Sequence, residues 1–362
     1  MTDALRRGLS RRRFLSATAG AGAALAAAPL IRPARAEGTL NALVWCDHTD
    51  PKLLSPFEQA FKIHLNVKEY EGTGTALAML EQSQPGDWDV FVVDSVDVPR
   101  VSAQGILAPL DESLIPWDDI FPELRQPKLH YRDGKLYAAP EKFGYNTVSY
   151  NAEKVDVADM RHIASMWDPK YAGRIAVYDY YIPVMELIGL GLGIKPADLT
   201  AQHLPAIRDK LLKMKKLAAL VGDVPTVQNA LVTGAADIIV GGGEYAVAGL
   251  HAENPALDWV LPDEGGIRWG QAIGVFATSE KKALAAEFVR YILSPEGQAL
   301  LATSSCYWAM PANSKALLDD AQKKTLRWDE QPDFIAHSYN YFIPDPTLDK
   351  AMLDVWTEFL NA

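Results

Sequence analysis

Val90-Phe91-Val92-Val93 runs straight into Asp94-Ser95-Val96-Asp97, and the reading of this stretch decides the fold. Four consecutive β-branched or aromatic residues suit a strand buried on both faces, and the polar run behind them closes it. A helix is expected over residues 96–104, stopped by Gly105. A buried strand feeding a helix is the unit of a parallel sheet wound by crossover helices.

The same alternation extends in both directions. Upstream, residues 40–45 and 65–70 read as strands, and 53–61 and 75–82 as helices. Downstream, a Pro- and Asp-rich stretch over 109–127 leads to Asn146-Thr147-Val148-Ser149-Tyr150, an extended segment crossing into a second half. There, helices are expected near 163–167, 182–190 and 205–220, a strand at 174–177, and a buried strand Asp237-Ile238-Ile239-Val240 ending at Gly241-Gly242-Gly243. Ala272-Ile273-Gly274-Val275-Phe276 reads as a strand returning to the first half, followed by helices over 280–293 and 295–302. Residues 348–360 have helical apolar spacing and are expected to pack on the second half.

The first 36 residues read as an address. Ser10-Arg11-Arg12-Arg13-Phe14-Leu15 has the pattern of a twin-arginine signal, an Ala/Gly-rich run follows, and Ala34-Arg35-Ala36 is a small-residue cleavage site. Export to the periplasm through the twin-arginine translocase is therefore expected. Its removal leaves 28 basic and 45 acidic residues, a net charge of −17. That balance argues against nucleic acid and anionic membranes, which are recognised by basic patches, and fits a cationic ligand. About 326 mature residues exceed one hydrophobic core, so two lobes are expected. Cys46 and Cys306 are the only cysteines; a disulfide and two unpaired thiols both remain open.

A family resemblance rests on three phrases. Asp258-Trp259-Val260-Leu261-Pro262 through Glu264-Gly265-Gly266-Ile267 and Trp269 is one, Ser294-Pro295-Glu296 another, and Trp167-Asp168-Pro169-Lys170-Tyr171-Ala172-Gly173 the third. With these, the chain resembles the periplasmic spermidine/putrescine-binding proteins of ABC importers. The resemblance implies a type II-like, two-lobed α/β fold, each lobe a doubly wound and mainly parallel sheet, with two crossing hinge strands. Residues 37–145 with 270–315 would form lobe 1, and 146–269 with 316–362 lobe 2. It also implies a monomer without cofactor or catalysis, which closes on a small amine or polyamine-like solute and delivers it to a permease.

Loops at the carboxyl ends of parallel strands supply the candidate site. The resemblance puts a site aromatic and a site acid on Trp45 and Asp47, although a rim Trp and a helix-capping Asp read as well. Ser95 matches a site serine, with Asp97 beside it; Asp94 or Ser95 could instead cap the helix. Asp179 falls on an amine-binding acid, with Tyr180 and Tyr181 as cleft walls. Trp269 matches the stacking tryptophan, and Tyr307 a further aromatic position.

Three departures bear on the ligand. By the resemblance, Pro183 stands where a second acid is expected, Gln271 where an Asp grips an amine, and Gly241 where a tryptophan is expected, which leaves an opening in place of a wall. A lost carboxylate partner costs several kcal/mol, whereas one cation–π contact returns about 0.5–2 kcal/mol. The pocket has then recruited other acids, such as Glu141 or Glu244, or changed its ligand to another amine, an opine or an amino acid derivative. An organophosphonate, or a ferric ion held by Tyr180 and Tyr181, are further alternatives. The seven histidines show no zinc-ligand spacing, and the chain has no Gly-x-Ser-x-Gly, His-Glu-x-x-His or Gly-Lys-Ser/Thr motif to favour an enzyme.

Overall fold

The computed structural model describes residues 38–362; the expected signal peptide lies outside the described residues. Among the described residues, nine strands of four or more residues organise the fold: β1 (Thr39–Val44), β2 (His64–Glu69), β3 (Val90–Asp94), β4 (Ala138–Asn151), β5 (Ile175–Tyr178), β6 (Ala218–Gly222), β7 (Ile238–Gly242), β8 (Leu257–Val260) and β9 (Ile267–Val275). The helices that matter below are α1 (Pro51–Phe61), α2 (Thr73–Glu81), α3 (Val98–Ala103), α4 (Tyr181–Leu190), α5 (Leu204–Leu217), α6 (Val224–Thr233), α7 (Glu244–Val247), α8 (Lys282–Ile292), α9 (Pro295–Ala302) and α10 (Pro346–Asn361).

Strands follow the order β2-β1-β3-β9-β4-β7-β5-β6, with β8 on the edge of β4. Toward the two ends the pairings are parallel, β1 with β3, and β5 with both β6 and β7. In the middle they are antiparallel, β3 with β9, β9 with β4, and β4 with β7. The sheet is therefore mixed rather than mainly parallel, because β4 leaves the first half and β9 returns to it. The pairing of β4 changes partner midway: Ala138 to Asn146 lie against β9, and Thr147 to Tyr150 against β7. This is a two-lobed, type II-like α/β fold in which two long strands run through both halves.

Local chemistry places the ends. Asp50 caps α1, its side chain accepting from Lys52 N at 2.9 Å, and Asp345 caps α10 through Thr347 N and Leu348 N. Each such cap contributes about 1 kcal/mol. Trp356 and Phe359 of α10 bury against α4 and α5, so the last helix packs as its spacing predicts. One expectation fails: residues 218–220, read as the end of a helix, belong to β6. Ala and Leu continue a helical pattern well, and a half-exposed edge strand leaves little contrary signal.

Candidate functional site

One face at the centre of the sheet collects the polar side chains. Asp94, ending β3, stands opposite Gln271 of β9, and Gln271 stands opposite Lys142 of β4. Residues directly opposite on paired strands share a face, so the three form a row. Trp269, two residues before Gln271, adds its ring to that face, with Gly144 across from it.

Gly144 is required there. A Cβ at this position would come within 1.8 Å of Glu244 Oε1 and 2.4 Å of Trp269 Cζ2. The Glu244 carboxylate is thus wedged beside the indole, accepting from Tyr145 N at 3.2–3.3 Å. It is fully buried, and burial pushes its pKa up to about 8. Tyr245, next in α7, meets the Trp269 ring edge-on with centroids 6.3 Å apart.

The end of β1 supplies a second cluster. Asp47 Oδ1 lies 3.0 Å from His48 Nδ1, and His48 Nε2 lies 3.0 Å from Glu141 Oε2. Lys142 Nζ donates to the other Asp47 oxygen and, at 2.7 Å, to the Tyr307 hydroxyl, with its ammonium 4.8 Å from the Tyr307 ring centre. Asp47, His48, Glu141 and Lys142 are all buried. Burial lowers the Lys142 pKa well below its ordinary value, the Asp47 carboxylate in contact with Nζ works the other way and favours the ammonium, and burial raises the Tyr307 phenol. The two cysteines form a disulfide, which settles the question left open by the sequence. It ties the loop carrying Trp45 and Asp47 to the loop carrying Tyr307, helped by Asp50 Oδ2 accepting from Ser305 N at 2.9 Å.

Asp94 has a different setting. Gln271 Nε2 stands 3.5 Å from its Oδ1, and among the described residues no lysine or arginine forms an ion pair with it. Burial, and then the charge of Asp97, push its pKa up to about 7. Its charge reaches the hydroxyls of Tyr70 and Tyr307 on one side and of Tyr178, Tyr180 and Tyr341 on the other. Tyr180 and Tyr341 share a hydrogen bond of 2.6 Å. Ser95, Lys142, Arg268, Trp269, Gly270 and Tyr341 line a crevice at this place.

The structure therefore brings Ser95 and Trp269 to one crevice, with Gln271 opposite its lining residue Lys142 and with Asp47, Tyr307 and Glu244 in contact with its residues. Trp45 packs 5.6 Å from Tyr70, and Gln271 Oε1 is buried without a partner. Three expected residues are engaged elsewhere. The Asp179 carboxylate accepts from the Trp356 indole N–H at 2.8 Å, Tyr181 donates to Asp349 at 2.5 Å, and Asp97 pairs with Arg100 at 3.0 Å. Tyr180 and Tyr181 diverge, so they do not converge on one ion. The expected opening at Gly241 is filled: a Cβ there would meet Val184 at 2.7 Å and Tyr178 at 3.2 Å, and the φ of +85° favours glycine. Sequence reasoning passed over Lys142, Arg268 and His48, and left Asp94 open between a site residue and a helix cap. The adjacent charges Glu141-Lys142 inside a strand that is otherwise buried were the available signal.

Residues 52–328 match the family described as bacterial extracellular solute-binding protein. The chain belongs to this family. This solute-binding protein is 25% identical to the spermidine/putrescine-binding periplasmic protein of Escherichia coli K12 over 293 residues, 80% of its own chain and 82% of the relative. Its fold matches the spermidine/putrescine ABC transporter substrate-binding protein PotD from Streptococcus pneumoniae with a TM-score of 0.77 at 21% identity, covering 90% and 99% of the two chains. It also matches the binding protein AgtB of A. tumefaciens in complex with agropinic acid, with a TM-score of 0.65 at 19% identity over 90% and 99%. Among the described residues no helix of the solute-binding protein is long and apolar enough to cross a membrane.

Proposed function

We propose that this solute-binding protein serves an ABC importer in the periplasm and captures a solute with a single ammonium head and an apolar stem. The observation that carries this reading is the contrast between Asp47 and Asp94. Asp47 already holds the ammonium of Lys142, whereas Asp94 has no cationic partner among the described residues. A ligand ammonium would be received by the Asp94 carboxylate and the unpartnered Gln271 Oε1, with Trp269 and the tyrosines against its stem. The second reading adds a carboxylate at the far end of the solute. Arg268, whose Nε is buried without a partner, favours it.

The lobes are proposed at the bounds expected above. The change of β4 partner between Asn146 and Thr147 supports this, as does the packing of α10 on α4 and α5. Export by the N-terminal segment and delivery to a permease belong to the same proposal; the printed names of the relatives support transport. The kinship with binding proteins also speaks against catalysis.

Titration calorimetry with 4-aminobutan-1-ol, 4-aminobutanoic acid, 1,4-diaminobutane and spermidine tests the ligand. The first two are expected to bind more tightly than the last two. Binding of a di- or triamine as tight as the single-headed probes overturns the reading.

A further inference from the structure

Lys142 Nζ is held as a ligand ammonium would be. It touches a buried carboxylate, donates at 2.7 Å to the Tyr307 hydroxyl, and lies 4.8 Å from the centre of that aromatic ring. An acid, a hydroxyl and a π face are the three elements that recognise a primary ammonium. The Lys142 stem comes from β4, next to Gln271, whose far neighbour is Asp94. The Lys142 side chain reaches Asp47, which follows β1, the strand paired with β3, so the face contains two ammonium subsites, one at Asp94 and one at Asp47 and Tyr307. Among the described residues no lysine or arginine pairs with Asp94, whereas the Asp47 subsite is filled by Lys142.

We propose that Lys142 is a tethered ammonium that occupies a second amine subsite formed by Asp47 and Tyr307, and thereby restricts this protein to solutes with one ammonium head. This rests on the single-headed reading of the Asp94 subsite and names the residue that enforces it. The subsite is a built one: Asp47 is fixed by His48, His48 by Glu141, and the disulfide holds the Asp47 loop to the Tyr307 loop. Removing the lysine side chain would leave the buried Asp47 carboxylate facing the space that its ammonium filled. A diamine bridging from Asp94 would restore the missing charge. A hydrophobic side chain of the same length would fill the space without supplying it.

The probes are 4-aminobutan-1-ol and 1,4-diaminobutane, which differ only in one terminal group, titrated into wild type, Lys142→Ala, Lys142→Met and Lys142→Ala/Asp47→Asn. The expected result is at least a ten-fold gain for the diamine relative to the monoamine in Lys142→Ala, absent in Lys142→Met and abolished in the double variant. A folded Lys142→Ala that gains nothing for the diamine, while wild type still binds the monoamine, overturns this inference alone. Failure of wild type to bind any single-headed probe overturns the reading of the Asp94 subsite instead. If Lys142→Ala does not fold, a crystal structure of the wild type with 4-aminobutan-1-ol decides. Lys142 Nζ remaining on Asp47 supports the proposal, and a ligand nitrogen on Asp47 with Lys142 displaced overturns it.

Discussion

Gln271 and Asp94 face each other on antiparallel strands, their side chains 3.5 Å apart, with the Gln271 carbonyl oxygen left without a partner. The amide can donate to the acid and still accept from a ligand, which an aspartate at 271 could not do. On the proposed reading, Asp94 is the acid that receives the ammonium.

Asp94→Asn is therefore expected to weaken a bound amine by about 2 kcal/mol or more, roughly thirty-fold. Asp179→Ala should change affinity by less than two-fold, because its carboxylate serves the Trp356 indole; leaving that N–H unpaired costs about 1 kcal/mol of stability. Affinity should also fall on acidification. With a carboxyl pKa of about 7, only the ionised form pairs with an ammonium, so binding weakens by roughly ten-fold per unit below pH 7. Calorimetry between pH 5 and 8 checks this, and a flat profile removes Asp94 from the site.

A methyl group at Gly144 tests whether Trp269 and Glu244 act as one wall. Gly144→Ala drives a carbon into both side chains and is expected to cost about 1–3 kcal/mol of stability. It should weaken the ligand along with Trp269→Ala, for which about ten-fold is expected from lost stacking. Urea midpoints and titrations of both variants decide; an unchanged midpoint in Gly144→Ala would mean that the wall yields.

The Cys46–Cys306 bond closes a loop of 260 residues and joins the two loops that hold Asp47 and Tyr307. Replacing both cysteines by serine is expected to lower unfolding free energy by about 2–4 kcal/mol. Reductant should bring the wild type to the same level. Equal urea curves with and without reductant would show that the bond adds nothing.

Much of the architecture was legible because runs such as Val90 to Val93 and Ile238 to Val240 are apolar without interruption. The two crossing strands were harder. Asn146 to Tyr150 is only the end of β4, and Ala272 to Val275 only the end of β9. Their other halves carry Pro140, Glu141, Lys142 and Gly144, or Arg268, Trp269, Gly270 and Gln271, which break any strand pattern. Those residues are also the ones that build the site, so local sequence and fold disagree there for a functional reason. Trp269 and Gln271 could be found because they lie in a recognisable phrase. Lys142 could not, since its partner Asp47 lies 95 residues away and nothing local shows that the two meet.

Glu186, in α4, gives the most direct test of a buried charge outside the ligand row. It is 1% exposed, neither carboxylate oxygen has a well-formed hydrogen bond, and only the Phe342 backbone offers a weak one. Burial raises its pKa from 4.5 to about 9. The folded chain thus keeps a proton that the unfolded chain releases near its ordinary value. The resulting stabilisation is complete below the unfolded pKa, declines by about 1.4 kcal/mol per unit as pH rises, and is gone above the folded value. Glu186→Gln keeps the shape and cannot ionise. The variant's advantage over wild type in unfolding free energy should therefore grow steadily from pH 5.5 to 8.5. Asp94 and Glu244, raised to about 7 and about 8, add slopes of the same sign to both proteins. The difference between the two stability curves isolates Glu186, and parallel curves would show that its carboxyl ionises as readily in the fold as outside it.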